Sequence, residues 1–131
     1  MGEICSVSDN GITGNYTFHR DSFFYVGHFK NNPVTPGVIL TECMAQIGLV
    51  CFGIYLFNKE NISERPTFAL SSTEIDFYLP VFPGEKVMVI SEKIYFRFQK
   101  LKCKVKMLNE KGEVVAIGTI SGMILKENNL K

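Results

Sequence analysis

The feature that most constrains this chain is residues 38–57, where almost every side chain is apolar and the polar exceptions, Thr41, Glu42 and Gln46, gather near the start. A bilayer span needs about 20 apolar residues with few or no charges. From Cys43 to Phe57 the run is shorter than that, so a wholly buried helix in a soluble protein fits better than a membrane span. Such a helix needs cover, and the following residues supply it. Residues 67–77 read as a strand, 79–85 (LPVFPGE) as a proline-rich bend and 86–99 as a long strand. Leu101, Cys103, Val105 and Met107 then interleave with Lys102, Lys104 and Lys106, giving a strand with one packed face and one in water. Asn109, Glu110, Lys111 and Gly112 make a hairpin turn, and 113–125 is a last strand, apolar on both faces and therefore central or covered.

The implied class is α+β, with one long central helix wrapped by a strongly curved antiparallel sheet. Gly112, Gly118 and Gly122 help the sheet bend. The helix is expected to start at Thr35-Pro36-Gly37, the hydroxyl capping the first amides and the proline at the first helical position, and to run to about Asn58. One sheet covers only part of it, so a second subunit is expected to cover the rest, making a homodimer. At 131 residues the chain is expected to form a single domain, 1–131, with the polar KENNLK at 126–131 as a flexible tail.

Fourteen basic residues against 13 acidic ones leave a net charge of +1, which gives no field for gathering nucleic-acid phosphates. Cys5, Cys43, Cys51 and Cys103 show no metal-ligand or disulfide spacing, so no metal is expected and the thiols suit a reducing cytoplasm. The start, MGEICSVSDNG, lacks the apolar run of an export signal.

Chemistry converges on the helix start. Val38, Glu42 and Gln46 are four apart and share one helix face, and the amides of Gly37 and Val38 point out of the positive end of the helix. A carboxyl among apolar side chains is costly to ionise, and burial favours the protonated form that a general acid needs. His28, in the loop DSFFYVGHFKNN, is of the type that serves as a base. Free amides can hold an oxyanion. Base, acid and oxyanion donors together suffice to remove a proton beside a carbonyl and expel a group from the next carbon. Taken singly, each has a blander reading: His28 as a hydrogen-bonded loop residue, Glu42 as a carboxylate facing solvent or a lysine, Gln46 as a supporting hydrogen-bonder. His19 reads as structural. Phe52, Tyr55, Phe68, Phe77 and Phe82 are candidates for lining an acyl slot.

The segment GHFKNNPVTPGVILTECMAQIG resembles the signature of hot-dog-fold 3-hydroxyacyl-acyl-carrier-protein dehydratases of bacterial fatty acid synthesis, the FabZ and FabA type, and FYLPVFPGE is similar to the family's second proline-glycine bend. The resemblance implies a hot-dog fold paired as a dimer, possible higher or mixed oligomers, and dehydration of an acyl-carrier-bound 3-hydroxyacyl thioester to the trans-2-enoyl product without a cofactor. His28 would be the base and Glu42 the acid, drawn at each site from different subunits, with the Gly37 and Val38 amides on the thioester carbonyl. Glu rather than Asp at position 42 looks closer to the FabZ branch. Lys30, Asn31 and Asn32 depart from the family's loop, and Tyr78 and Leu79 stand where it commonly has basic residues, which bears on carrier docking. The rival readings are a hot-dog acyl thioesterase, in which Glu42 activates water, and a non-catalytic acyl-binding partner subunit. Housekeeping fatty acid synthesis and specialised polyene, pigment or polyketide pathways all fit.

Overall fold

The computed structural model describes residues 2–19, 34–58 and 67–125. Strands β1 (Glu3–Val7), β2 (Gly11–Thr17), β3 (Thr67–Phe77), β4 (Lys86–Arg97), β5 (Lys100–Leu108) and β6 (Val114–Leu125) form one antiparallel sheet in the order β1-β2-β4-β5-β6-β3. A continuous helix, Gly37–Asn58, lies in its curve. This is the hot-dog arrangement. By length and composition that helix could cross a membrane, but Leu40, Met44, Ile47, Leu49, Phe52 and Leu56 are buried in one cluster with Val87, Val89, Leu101, Cys103, Val105, Met107 and Ile120 of the sheet. The period-two pattern of β5 is realised as expected: Leu101, Cys103, Val105 and Met107 are fully buried, while the lysines between them reach solvent to different degrees.

The helix is not a plain α-helix. It runs as α1 (Gly37–Ala45), a π-helical segment (Gln46–Cys51) and α2 (Phe52–Asn58). The widened turn brings Gly48 against the sheet, where an added Cβ would sit 3.0 Å from Val105 Cγ1 and 3.1 Å from Ser91 Cβ. Ser91, buried on β4, donates through Oγ to the Gly48 carbonyl at 2.8 Å. Farther along, Leu49 Cδ2 would lie 2.6 Å from a Cβ at Gly122. Gly118 is needed because β3 passes so close that a Cβ would overlap the Glu74 carbonyl oxygen. Both glycines therefore permit close approach.

The strand expected over 86–99 ends earlier. Phe98 and Gln99 have φ of 51° and 61° and form a two-residue turn between β4 and β5, the backbone signature of a type I′ hairpin. The hairpin turn expected at 109–112 is present, with Asn109 Oδ1 accepting from the amides of Lys111 and Glu113 and Gly112 at φ 80°. At the N-terminal side, β2 stops at Thr17 and pairs with β1, placing β1 on one edge of the sheet and β3 on the other.

Candidate active site

The start of α1 is built by three segments. The amide of Thr35 donates to the Val81 carbonyl at 2.8 Å, tying the approach to the helix to the proline-rich bend. That bend is fixed in turn by the Tyr78 amide on the Val115 carbonyl at 2.7 Å and the Phe18 amide on the Glu85 carbonyl at 3.0 Å. Val81 is fully buried beneath it.

Here the expected cap is corrected. Pro36, at φ −60° and ψ 146°, is the N-cap residue itself, and among the described residues no side chain makes a cap hydrogen bond. Thr35 is buried against the bend, so its backbone serves that attachment. The amides of Ile39 and Leu40 both turn to the Pro36 carbonyl, at 3.0 and 3.2 Å. Among the described residues no acceptor meets the amides of Gly37 and Val38, and the Val38 side chain is 76% exposed. The first turn holds no acidic residue, and among the described residues the positive end of the helix keeps two open donors. The ring of Phe77 stands over Gly37, whose hypothetical Cβ would be 3.5 Å away.

Glu42 lies one turn inside, on a helix face where Val38, Glu42, Gln46 and Ile54 all stay exposed. The Glu42 side chain is therefore exposed, contrary to the expectation of a buried acid. Two cavities flank it. The larger, about 540 Å³, lies between the helix and the β1–β2 hairpin, its walls including Ile39, Cys43, Gln46, Ile47 and Cys51 on one side and Ile4, Tyr16 and Phe18 on the other. The smaller, about 270 Å³, opens toward the β3 edge and is bounded by Val38, Thr41, Gln46, Val50, Phe68 and Leu70. Glu42 and Gln46 border both.

Of the aromatics considered for an acyl slot, Phe68 borders the smaller cavity and Phe77 the helix start, whereas Phe52 is fully buried in the core. Tyr16 and Phe18, packed edge to face with centroids 4.8 Å apart, line the larger cavity and carried no local signal of it. Burial pushes the Cys43 thiol up to about 12 and also raises Cys51. Neither thiol bordering the cavity is then a ready nucleophile. His28 lies outside the described residues, as do Lys30, Asn31 and Asn32. Among the described residues no cluster of His, Cys, Asp or Glu could hold a metal.

Comparison with known proteins agrees with this architecture. Residues 4–120 match the model of the FabA-like domain. The chain is 32% identical over 108 residues to the bifunctional enzyme LpxC/FabZ of Chlorobaculum tepidum, covering 81% of this chain and 22% of that one. It is 30% identical to a Wolbachia 3-hydroxyacyl-[acyl-carrier-protein] dehydratase FabZ, covering 84% of this chain and 72% of the relative. The chain thus spans only about a fifth of the bifunctional relative, and 54% of an Ehrlichia ruminantium FabZ with which it is 37% identical over 63% of its own length. Among solved structures, the dehydratase heterocomplex ApeI:P of Xenorhabdus doucetiae superposes with a TM-score of 0.80 at 16% identity, over 98% of this chain and 84% of that one. With a family match over nearly the whole chain and the same fold in solved structures, the protein belongs to the FabA-like family.

Proposed function

We propose that this chain removes water from a 3-hydroxyacyl thioester carried on acyl carrier protein, giving the trans-2-enoyl thioester for fatty acid synthesis or a related polyene or polyketide pathway, in the cytoplasm. The observation that carries the proposal is the start of α1, where among the described residues the amides of Gly37 and Val38 meet no acceptor, one turn from a carboxyl that borders two cavities. FabZ relatives at 30–37% identity support the same chemistry.

In this reading the thioester carbonyl sits on the Gly37 and Val38 amides, which stabilise the negative charge that grows on its oxygen when the C2 proton leaves. His28 takes that proton. The C3–O bond then breaks with the electron pair departing on oxygen, Glu42 protonates it, and water leaves. Proton return from the imidazolium to the carboxylate, through solvent, resets the pair. Gln46, on the same face, supports the carboxyl. The chemistry needs no metal or dissociable cofactor, since the thioester itself acidifies C2.

Glu42 must be covered to work as an acid, and a second copy of the chain is the proposed cover. Support comes from the open β3 edge with exposed Leu70 and Phe77 beside the exposed helix face of Val38 and Ile54. The site then takes His28 from one protomer and Glu42 from its mate.

Replacing His28 by Ala should abolish formation of the enoyl thioester from a 3-hydroxyacyl carrier while the protein stays folded and paired. Near-normal turnover by His28→Ala would refute the mechanism. Release of free thiol without enoyl product would instead identify a thioesterase.

A further inference from the structure

The β4–β5 hairpin carries a feature that neither the core nor the proposed chemistry uses. Its two strands hold seven Lys and Arg residues against one acid, Glu92, in a chain whose net charge is only +1. At the tip, Phe98 is 91% exposed and is held at φ 51°, a backbone region that a bulky side chain seldom occupies. Type I′ turns ordinarily draw on Asn, Asp or Gly. Neither turn geometry nor burial accounts for an aromatic ring there, and backbone strain of this kind gathers where a segment has a task.

The cations are placed around that ring. Arg97 and Lys100 are cross-strand partners immediately beside the turn, and Tyr95 and Lys102 are the next pair on the same face. The Arg97 guanidinium lies 4.6 Å from the Tyr95 ring centroid. Met123, opposite Lys100 on β6, adds exposed apolar surface. The tip therefore presents one projecting ring, a collar of three cations and no carboxylate among the described residues of these pairs.

We propose that this tip docks on an anionic lipid bilayer, with Phe98 in the headgroup boundary and Arg97, Lys100 and Lys102 against lipid phosphates. A ring 91% exposed at a hairpin tip, with cations on both flanking strands, suits a bilayer interface, which accepts any projecting aromatic ring. Cations on flexible stems beside the ring supply the electrostatic part. Each contributes about a fivefold gain in partitioning, so the contact is weak, reversible and steeply dependent on salt. A dimer would present two such tips.

The chain contains no tryptophan, so Phe98→Trp in the full-length protein reports on the tip alone. Its emission should shift to shorter wavelength with vesicles of phosphatidylcholine plus phosphatidylglycerol, stay put with phosphatidylcholine alone, and return in roughly 1 M salt, where the screening length is about 3 Å. In the same background, Lys100→Ser with Lys102→Ser should cut vesicle partitioning about 25-fold. Circular dichroism of the Trp variant matching the parent establishes that the probe reports on folded protein. Emission unmoved by anionic vesicles overturns the proposal, as does an equal shift on neutral ones or partitioning indifferent to the two lysines. A shift produced by an acidic protein such as an acyl carrier, with none from vesicles, also overturns it and assigns the tip to a protein partner.

Discussion

Ser91 on β4 reaches into the central helix and donates a 2.8 Å hydrogen bond to the backbone carbonyl of Gly48, inside the π-helical turn. The widened turn and the serine are coupled. Gly48 has no side chain to keep the strand away, and Ser91, 1% exposed, has no water to bond instead. Gln46, which borders both cavities, opens this same turn.

Ser91→Ala should therefore cost about 1–3 kcal/mol, the penalty for leaving a buried partner unsatisfied. Chemical denaturation measures it directly. A loss within about 0.3 kcal/mol would mean that the π-turn holds its shape without the hydroxyl.

Gly37→Ala separates fold from chemistry. The added Cβ meets the Phe77 ring at an ordinary 3.5 Å, so the melting temperature should hold. Turnover should nonetheless fall, by about tenfold or more in kcat, because the methyl crowds the amide that would hold the thioester oxygen. Unchanged kcat in the folded variant would move the carbonyl elsewhere.

The helix start, the bend and the alternation of β5 were legible in the sequence because each follows a local rule: a proline-glycine pair, a second one, and Leu101 to Met107 interleaved with lysines. The π-turn was not. In a run as uniformly apolar as 46–57, periods of 3.6 and 4.4 residues leave the same pattern, and the choice depends on Ser91, some forty residues away. The Phe98-Gln99 turn was hidden because it lacks the usual turn residues. Glu42 could be singled out by its rarity in the run, but its exposure follows from where the sheet stops. Tyr16 reaches the cavity through the pairing of β2 with β4 and Phe18 through its amide on the Glu85 carbonyl, long-range contacts that no local pattern encodes.

Three of the four cysteines should react in a set order. Cys5 is exposed, whereas burial raises the Cys43 thiol to about 12 and Cys103 to about 11, the latter partly offset by Ser91 and Lys93. A neutral alkylating agent at pH 8 should label Cys5 first and leave Cys43 and Cys103 unmodified until the protein unfolds, as read by peptide mass spectrometry. The same shifts set a sign for stability. Between the ordinary thiol value of 9.0 and about 11–12 the unfolded chain ionises these thiols and the folded one does not. Their contribution is thus complete below pH 9 and is lost as the pH climbs through that window. Stability rising across it would contradict the assigned burial.

Mixing two inactive variants tests whether one site draws on two chains. A His28→Ala protomer keeps Glu42, and a Glu42→Gln protomer keeps His28. If base and acid come from different protomers, a mixed dimer contains one site with both groups intact and one with neither. Random re-pairing of equal amounts makes half the dimers mixed, so about a quarter of the parental activity should return from two preparations that are each dead. If both groups of a site belong to one chain, every site in the mixture lacks one of them and nothing returns. Mixing after partial denaturation and slow refolding, followed by the enoyl assay, distinguishes the cases. The single double variant, His28→Ala with Glu42→Gln in one chain, mixed with parent sets the control: its mixed dimers lack one group at each site, so activity should fall below that of the parent protomers alone.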